Sequence, residues 1–308
     1  MNDNIFRPIR EGLNKKNALI KRYPDGTYQV TCFSRPTYNR GGMEDADKLH
    51  QQRRRKEFEA KHSELLNSGK PHERTRSDSA RRAKNSVFDI AALNDWQYFV
   101  TLTLDADKID RYDPAQIVRP VTKWFDNLVQ RKGLRYLIVP EHHADGAIHF
   151  HGLISGDGLR LSDSGTVKVP YRKKPVKRAT AKRNGVPDAE LKTVYNWDDF
   201  RLGFSTALAV YGERGNLAKY MTKYITKDLT KIFGQTYFAG GRGLQRKPES
   251  VAIDLDFEKI KSEAFDLPFE LGGVKYAKLP SSEALNDFLL EVCREPLTPS
   301  EARGLFHE

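Results

Sequence analysis

The stretch LRYLIVPEHHADGAIHFHGLIS, residues 134–155, constrains the chain more than any other. LRYLIVPE and AIHFHGLIS are rich in β-branched and aromatic side chains, and the Ala-Asp-Gly between them supports a tight turn, so the two runs are predicted to fold back as antiparallel strands. The hairpin also collects four of the chain's eight histidines within ten residues.

Alternate side chains of a strand share a face, so His149 and His151 point the same way with Cα atoms roughly 6.5 to 7 Å apart. Glu141 ends the preceding strand and falls opposite or diagonal to His149. Two imidazoles and one hard carboxylate oxygen suit a divalent ion with positions open for substrate oxygens. A histidine on a strand is otherwise an ordinary packing or surface residue. His142 and His143 sit in the turn, share no face with the pair, and are expected to meet solvent or DNA. Non-haem iron enzymes also use a His-x-His pair, but they place the acid after it and need a distant third ligand. Here the next Glu is Glu190 and the next His is His307, a poor fit.

Other runs set the surroundings. ALIKRYPDGTYQVTCF (18–33) reads as a hairpin about a Pro-Asp-Gly turn. Residues 44–67 read as a polar helix or an arm that folds on a partner, residues 68–85 as a linker, and VFDIAALN as a short helix. WQYFVTLTL (96–104) is predicted as a strand and PAQIVRPVTKWFDNLVQRKG, ending at Gly133, as a helix. The basic segment 156–190 reads as an exposed insertion, FRLGFSTALAV (200–210) as a strand, and GNLAKYMTKYITKDLTKIF as a helix. The outcome is an α+β domain with antiparallel strands over roughly 95–235, preceded by a hairpin and basic helical extension (1–94) and followed by a C-terminal segment (236–308) without a nameable motif.

Charge narrows the partner. Lysine and arginine number 52 against 41 acids, a net +11, and the excess is clustered. KVPYRKKPVKRATAKR (168–183) holds eight basic residues and no acid, and QQRRRK (51–56), ARRAK (80–84) and GGRGLQRKPES (240–250) add further basic runs. A single run is commonly just a solvated face, but several in one chain favour a polyanion such as DNA. Two cysteines without metal-ligand spacing, no apolar run near the roughly 20 residues of a membrane span and no signal-peptide pattern point to a reducing cytoplasm and no membrane.

In NLAKYMTKYITKD, Tyr220 and Tyr224 are four apart, so a helix stacks them on one face about 40° apart. Lys223 and Lys227 fall near the same face, while Leu217, Met221, Ile225 and Leu229 form the core stripe. Tyrosines on an amphipathic helix can be mere surface packing. Beside a metal site they have a chemical use, because phosphodiester transfer needs a cation at the phosphate and a nucleophile in line. A phenol with a pKa near 10 needs a neighbouring cation or base to attack at neutral pH, which Lys223 or Lys227 would supply.

YFVTLTL, EHHADGAIHFHGLI and LAKYMTKYITKD together resemble, in order, the three motifs of HUH-type rolling-circle replication initiators of small single-stranded DNA phages and plasmids. The resemblance implies a five-stranded antiparallel sheet with flanking helices and a Mg²⁺ or Mn²⁺ ion on His149 and His151 with Glu141 as third ligand. It also implies attack by Tyr220 or Tyr224 to give a 5′-phosphotyrosyl DNA and a free 3′-OH. The YITKD context of Tyr224 fits the motif more fully, which favours Tyr224 as the initiating nucleophile, and Thr101 and Thr103 are expected to support the site. No P-loop occurs in the sequence, so unwinding is assigned to a host helicase, with a host polymerase and single-strand-binding protein as further partners. Relaxases and small transposases of the HUH class, and a noncatalytic DNA-binding module, are the alternatives.

Overall fold

A computed structural model of the chain describes residues 15–35, 38–39, 77–143, 145–170, 172, 174–212, 214–227, 232–260 and 273–306. The chain divides into two compact units, Met1–Phe58 with Pro248–Glu308, and Glu59–Lys247. The arm expected over residues 44–67 lies outside the described residues.

In the first unit β1 (Lys15–Lys16) pairs with β4 (Tyr38–Asn39), and β2 (Ala18–Arg22) pairs with β3 (Tyr28–Phe33). The hairpin turns at Gly26, whose φ of 79° suits a residue without Cβ, and the Asp25 carboxylate accepts from the Thr27 amide at 3.0 Å. The sheet unit follows.

Eight strands form one antiparallel sheet there: β5 (Tyr98–Leu104), β6 (Arg135–His142), β7 (Ile148–Ser155), β8 (Leu161–Lys168), β9 (Val176–Lys177), β10 (Lys192–Trp197), β11 (Gly203–Ala209) and β12 (Phe238–Gly240). Their order is β12-β6-β7-β5-β11-β10-β8-β9. The helices are α1 (Ser77–Leu93), α2 (Pro114–Lys132), the short α3 (Arg178–Arg183) and α4 (Arg214–Lys227).

Helix α2 starts where the Asp113 carboxylate caps the Ala115 amide at 2.9 Å, with Pro114 in the first turn, and stops at Gly133, φ 61°. It buries Ile117, Val121 and Phe125 against Leu102, Ile148 and Phe150 of the sheet. Each such side chain contributes roughly 1.5–3 kcal/mol when fully removed from water. The alternating residues of β5 and β7 therefore point away from α2, toward the face on which α1 and α4 pack against β6 and against each other.

Two sequence expectations are corrected. The sheet has eight strands, not five, because the segment 156–190 is not an exposed insertion: β8 pairs with both β10 and β9, and Val167, Val169 and Ala181 form a small core of their own. Apolar residues spaced among lysines hid that core. The linker expected over 68–85 gives way at Ser77 to α1, whose Val87, Ile90 and Ala91 are buried.

The chain then returns to the first unit. β13 (Glu249–Ile253) pairs with β2 and β14 (Val274–Leu279) with β3, giving the order β13-β2-β3-β14. α5 (Ser282–Val292) and α6 (Pro299–Gly304) add Leu285, Leu289 and Ala302 to a core that also holds Ile20, Val30 and both cysteines. Cys32 and Cys293 are free thiols, each pushed by burial up to about 11.

Asp199 joins α2 to the start of β8 with a carboxylate 2.8 Å from Lys132 Nζ and 2.7 Å from Arg160 Nη2. Burial alone would raise its pKa, but the bonds from Lys132 and Arg160 hold it below the ordinary carboxylate range. A depressed folded-state pKa contributes stability above the unfolded value of about 3.9 and loses it as pH falls through the folded value. Asp199→Asn should therefore cost about 2 kcal/mol in urea unfolding at pH 7, and the gap from the parent should narrow below about pH 4. A gap that stays constant with pH would remove the ion pairs from this account. Close approach of β6 and β7 makes a second prediction. A Cβ on Gly152 would lie 2.2 Å from Ile138 Cδ1 and 2.4 Å from the Leu137 carbonyl oxygen. Gly152→Ala should lower the thermal midpoint by several degrees, since overpacking costs about 1–3 kcal/mol. An unchanged midpoint would show that the strands part freely.

Candidate active site at the histidine hairpin

The register of three strands builds the site. β6 places Glu141 opposite His149 and Val139 opposite His151, while β5 on the other side places Thr103 opposite His149 and Thr101 opposite His151. Glu141 reaches the diagonal neighbour: its Oε2 lies 3.1 Å from His151 Nε2. The two threonine hydroxyls meet the inner nitrogens, Thr101 Oγ1 with His151 Nδ1 and Thr103 Oγ1 with His149 Nδ1, both at 3.2 Å. When Nδ1 carries the proton and donates to threonine, the Nε2 lone pair is left for a ligand, so the threonines set ring orientation and tautomer.

The turn is more involved than expected from sequence. The Asp145 carboxylate accepts from the Ala147 amide at 3.0 Å, which, with the bond from His143, holds that carboxyl below its usual range. His143 is not outside the cluster: its ring stacks on His149 at 4.8 Å, with Nδ1 3.3 Å from Asp145. The tight turn brings it back over the strand, which alternation along a strand cannot foresee. Burial, with the His143 ring beside it, lowers the pKa of His149 and keeps that imidazole neutral at pH 7.

Helix α4 brings both tyrosines to this face. The Tyr224 ring stacks on His151 with centroids 4.2 Å apart and planes 16° from parallel, and its hydroxyl donates to Tyr220 Oη at 2.7 Å. Tyr224 is 8% exposed and Tyr220 44%. Burial, then the bond donated to Tyr220, pushes the Tyr224 phenol well above its ordinary range. Ala218, Met221 and Ile225 occupy the buried stripe of the helix, as its spacing predicts. Lys223 is exposed on α4, and the side chain of Lys227 lies outside the described residues.

Phe99 completes the pocket wall. Its ring meets Tyr220 edge-on at 5.2 Å and stacks at 6.2 Å from both His151 and Tyr224. The sequence signal was present in YFVTLTL, where Phe99, Thr101 and Thr103 alternate onto one face.

The residues fit a hard divalent cation in donor chemistry. Two donors at about 2.1 Å from one ion and roughly at right angles sit about 3 Å apart, close to the separation of Glu141 Oε2 and His151 Nε2. His149 presents a neutral imidazole on the same face. Among the described residues no three His, Cys, Asp or Glu side chains are gathered closely enough to form a metal group as they stand. The His151 and Glu141 pair is thus the assembled part of a ligand set, and His149 its adjoining member.

Residues 97–229 match the family model of the replication-associated protein ORF2 family. That span begins one residue before β5, ends just past α4, and contains Phe99, both threonines, the histidine hairpin and both tyrosines. No curated protein and no solved structure matches the chain. No helix among the described residues is long and apolar enough to cross a membrane. By the match across this whole site, the domain at 97–229 belongs to the replication-associated protein ORF2 family, with a role in replication initiation.

Proposed function

We propose that the protein initiates rolling-circle replication as an HUH-type nickase, cutting and rejoining single-stranded origin DNA through a tyrosine. The observation that carries this reading is the stacking of Tyr224 on His151 with its hydroxyl bonded to Tyr220, which puts two phenols at the face of the paired histidines. The family match over the same residues supports it.

His149, His151 and Glu141 would hold Mg²⁺ or Mn²⁺, which when bound neutralises charge developing on the scissile phosphate. Tyr220 is the exposed phenol and accepts a hydrogen bond from Tyr224, a contact that offsets negative charge gathering on its oxygen during attack. This favours Tyr220 as the first nucleophile, the reverse of the order drawn from the YITKD context. The Tyr220 Oη–phosphorus bond forms as the phosphorus–O3′ bond breaks. The phenol proton passes to water, and the leaving 3′ oxygen takes a proton from Lys223 or Lys227. A host polymerase extends the 3′-OH while a host helicase and single-strand-binding protein open and cover the template. Tyr224 then cuts the regenerated origin, and the freed 3′-OH reverses the first linkage to close the circle.

A second phenol on the same helix face separates this reading from relaxases and small transposases, and covalent chemistry separates it from a noncatalytic module. His149→Ala and His151→Ala should each abolish the protein–oligonucleotide adduct formed with Mn²⁺ while retaining most DNA affinity, which comes from lysine and arginine contacts. Near-parental nicking by either variant would end the metal assignment. Tyr220→Phe and Tyr224→Phe should each keep part of the cleavage seen on denaturing gels, and the double variant none. If one single variant loses all adduct while the other nicks and closes circles normally, the two-tyrosine scheme fails.

A further inference from the structure

The face of the sheet that carries the histidines extends beyond them, onto strands that the nicking chemistry does not use. Pairing carries the face outward from Thr103 to Phe204 of β11, from Leu208 to Val194 of β10, and from Lys192 to Lys168 of β8. Phe204 stands two strands from His149, about 10 Å across the sheet. Helices α1 and α4 pack over β6, but Phe204 remains 68% exposed, the highest value among the large apolar side chains described.

A single exposed phenylalanine is ordinary on a protein surface. This one has company of a particular kind. The other large exposed side chains of the sheet unit are all aromatic: Tyr112, Tyr211 and Tyr220. Two of them lie under cations, with Arg111 5.4 Å over the Tyr112 ring and Lys192 Nζ 5.3 Å over Tyr211. The outer positions of the same face add Lys168 and, through its pairing with Thr166, Lys177, with no acid among the paired positions named. Exposed rings interleaved with cations on a chain of net charge +11 complement a flexible polyanion with flat apolar faces, which is single-stranded nucleic acid.

We propose that Phe204 is a base-stacking residue that holds a nucleotide beside the one reacting at Tyr220, and that the strand runs outward from it over β11 and β10 toward Lys192 and Tyr211. The inference rests on the reading of the histidine hairpin as a site for single-stranded DNA. Stacking needs only the π face of a base, so this contact grips the strand without reading its sequence.

The test uses the full chain carrying His149→Ala, so that binding is measured without cleavage, with fluorescein-labelled oligothymidine and an abasic oligonucleotide of equal length as probes. Phe204→Ala should weaken oligothymidine binding by about 5- to 150-fold in fluorescence anisotropy, the effect of losing one base stack. Binding of the abasic strand should change less than twofold. Phe204→Trp should restore affinity, and its added fluorescence should be quenched by oligothymidine. Equal losses on both probes would make Phe204 a structural residue, and affinity within twofold of the parent on both would show that no base rests there; either result overturns the proposal. Failure of the nickase reading looks different: the parent forms no adduct with Mn²⁺ whatever Phe204→Ala does to binding.

Discussion

His151 is held on three sides, and each contact belongs to a different element. Thr101 of β5 meets its inner nitrogen, Glu141 of β6 its outer one, and Tyr224 of α4 lies flat against the ring. None of these groups is near another in sequence. The imidazole therefore joins the central strands to the helix that carries the phenols, and its orientation fixes how far those phenols stand from whatever the histidines hold. That arrangement depends in turn on close approach of β6 and β7, which the missing Cβ at Gly152 permits.

Burial then makes two chemically identical tyrosines unequal. Tyr224 is enclosed by Phe99 and His151, donates its proton to its neighbour, and is disfavoured as an anion; Tyr220 receives that bond and faces solvent. Desolvating a phenol penalises the charged form, so the environment assigns an inner, supporting phenol and an outer, reachable one without any difference in residue type. The same physics keeps His149 neutral and able to offer a lone pair.

What could be seen in the sequence was what local spacing determines. The period of two in YFVTLTL and IHFHGLIS put Thr101, Thr103, His149 and His151 on one face, and the spacing of Tyr220 and Tyr224 put both phenols on one side of a helix. Features that depend on distant pairing were hidden. The basic segment after β7 reads as a loop until Val167 and Val169 find Ala181, and β13 and β14 have no meaning without β2 and β3. His143 was missed for a third reason: a tight turn can lay a side chain back on a strand it does not belong to.

The four-stranded sheet of the first unit has its oldest strands in the middle. β2 and β3 are made early, and both of their outer edges are closed by β13 and β14, so that Arg22 meets Glu249 only 227 residues later. At synthesis rates of roughly 5–20 residues per second that interval lasts about 10 to 45 s. For all of it the hairpin carries two unsatisfied rows of backbone donors and acceptors, the condition in which strands pair with the wrong chain. Lys21 and Arg22 at the end of β2 place positive charge on one such edge and oppose that pairing. The sheet unit, finished while the hairpin still waits, is free to fold first, and the earliest strands of the protein become the last to be enclosed.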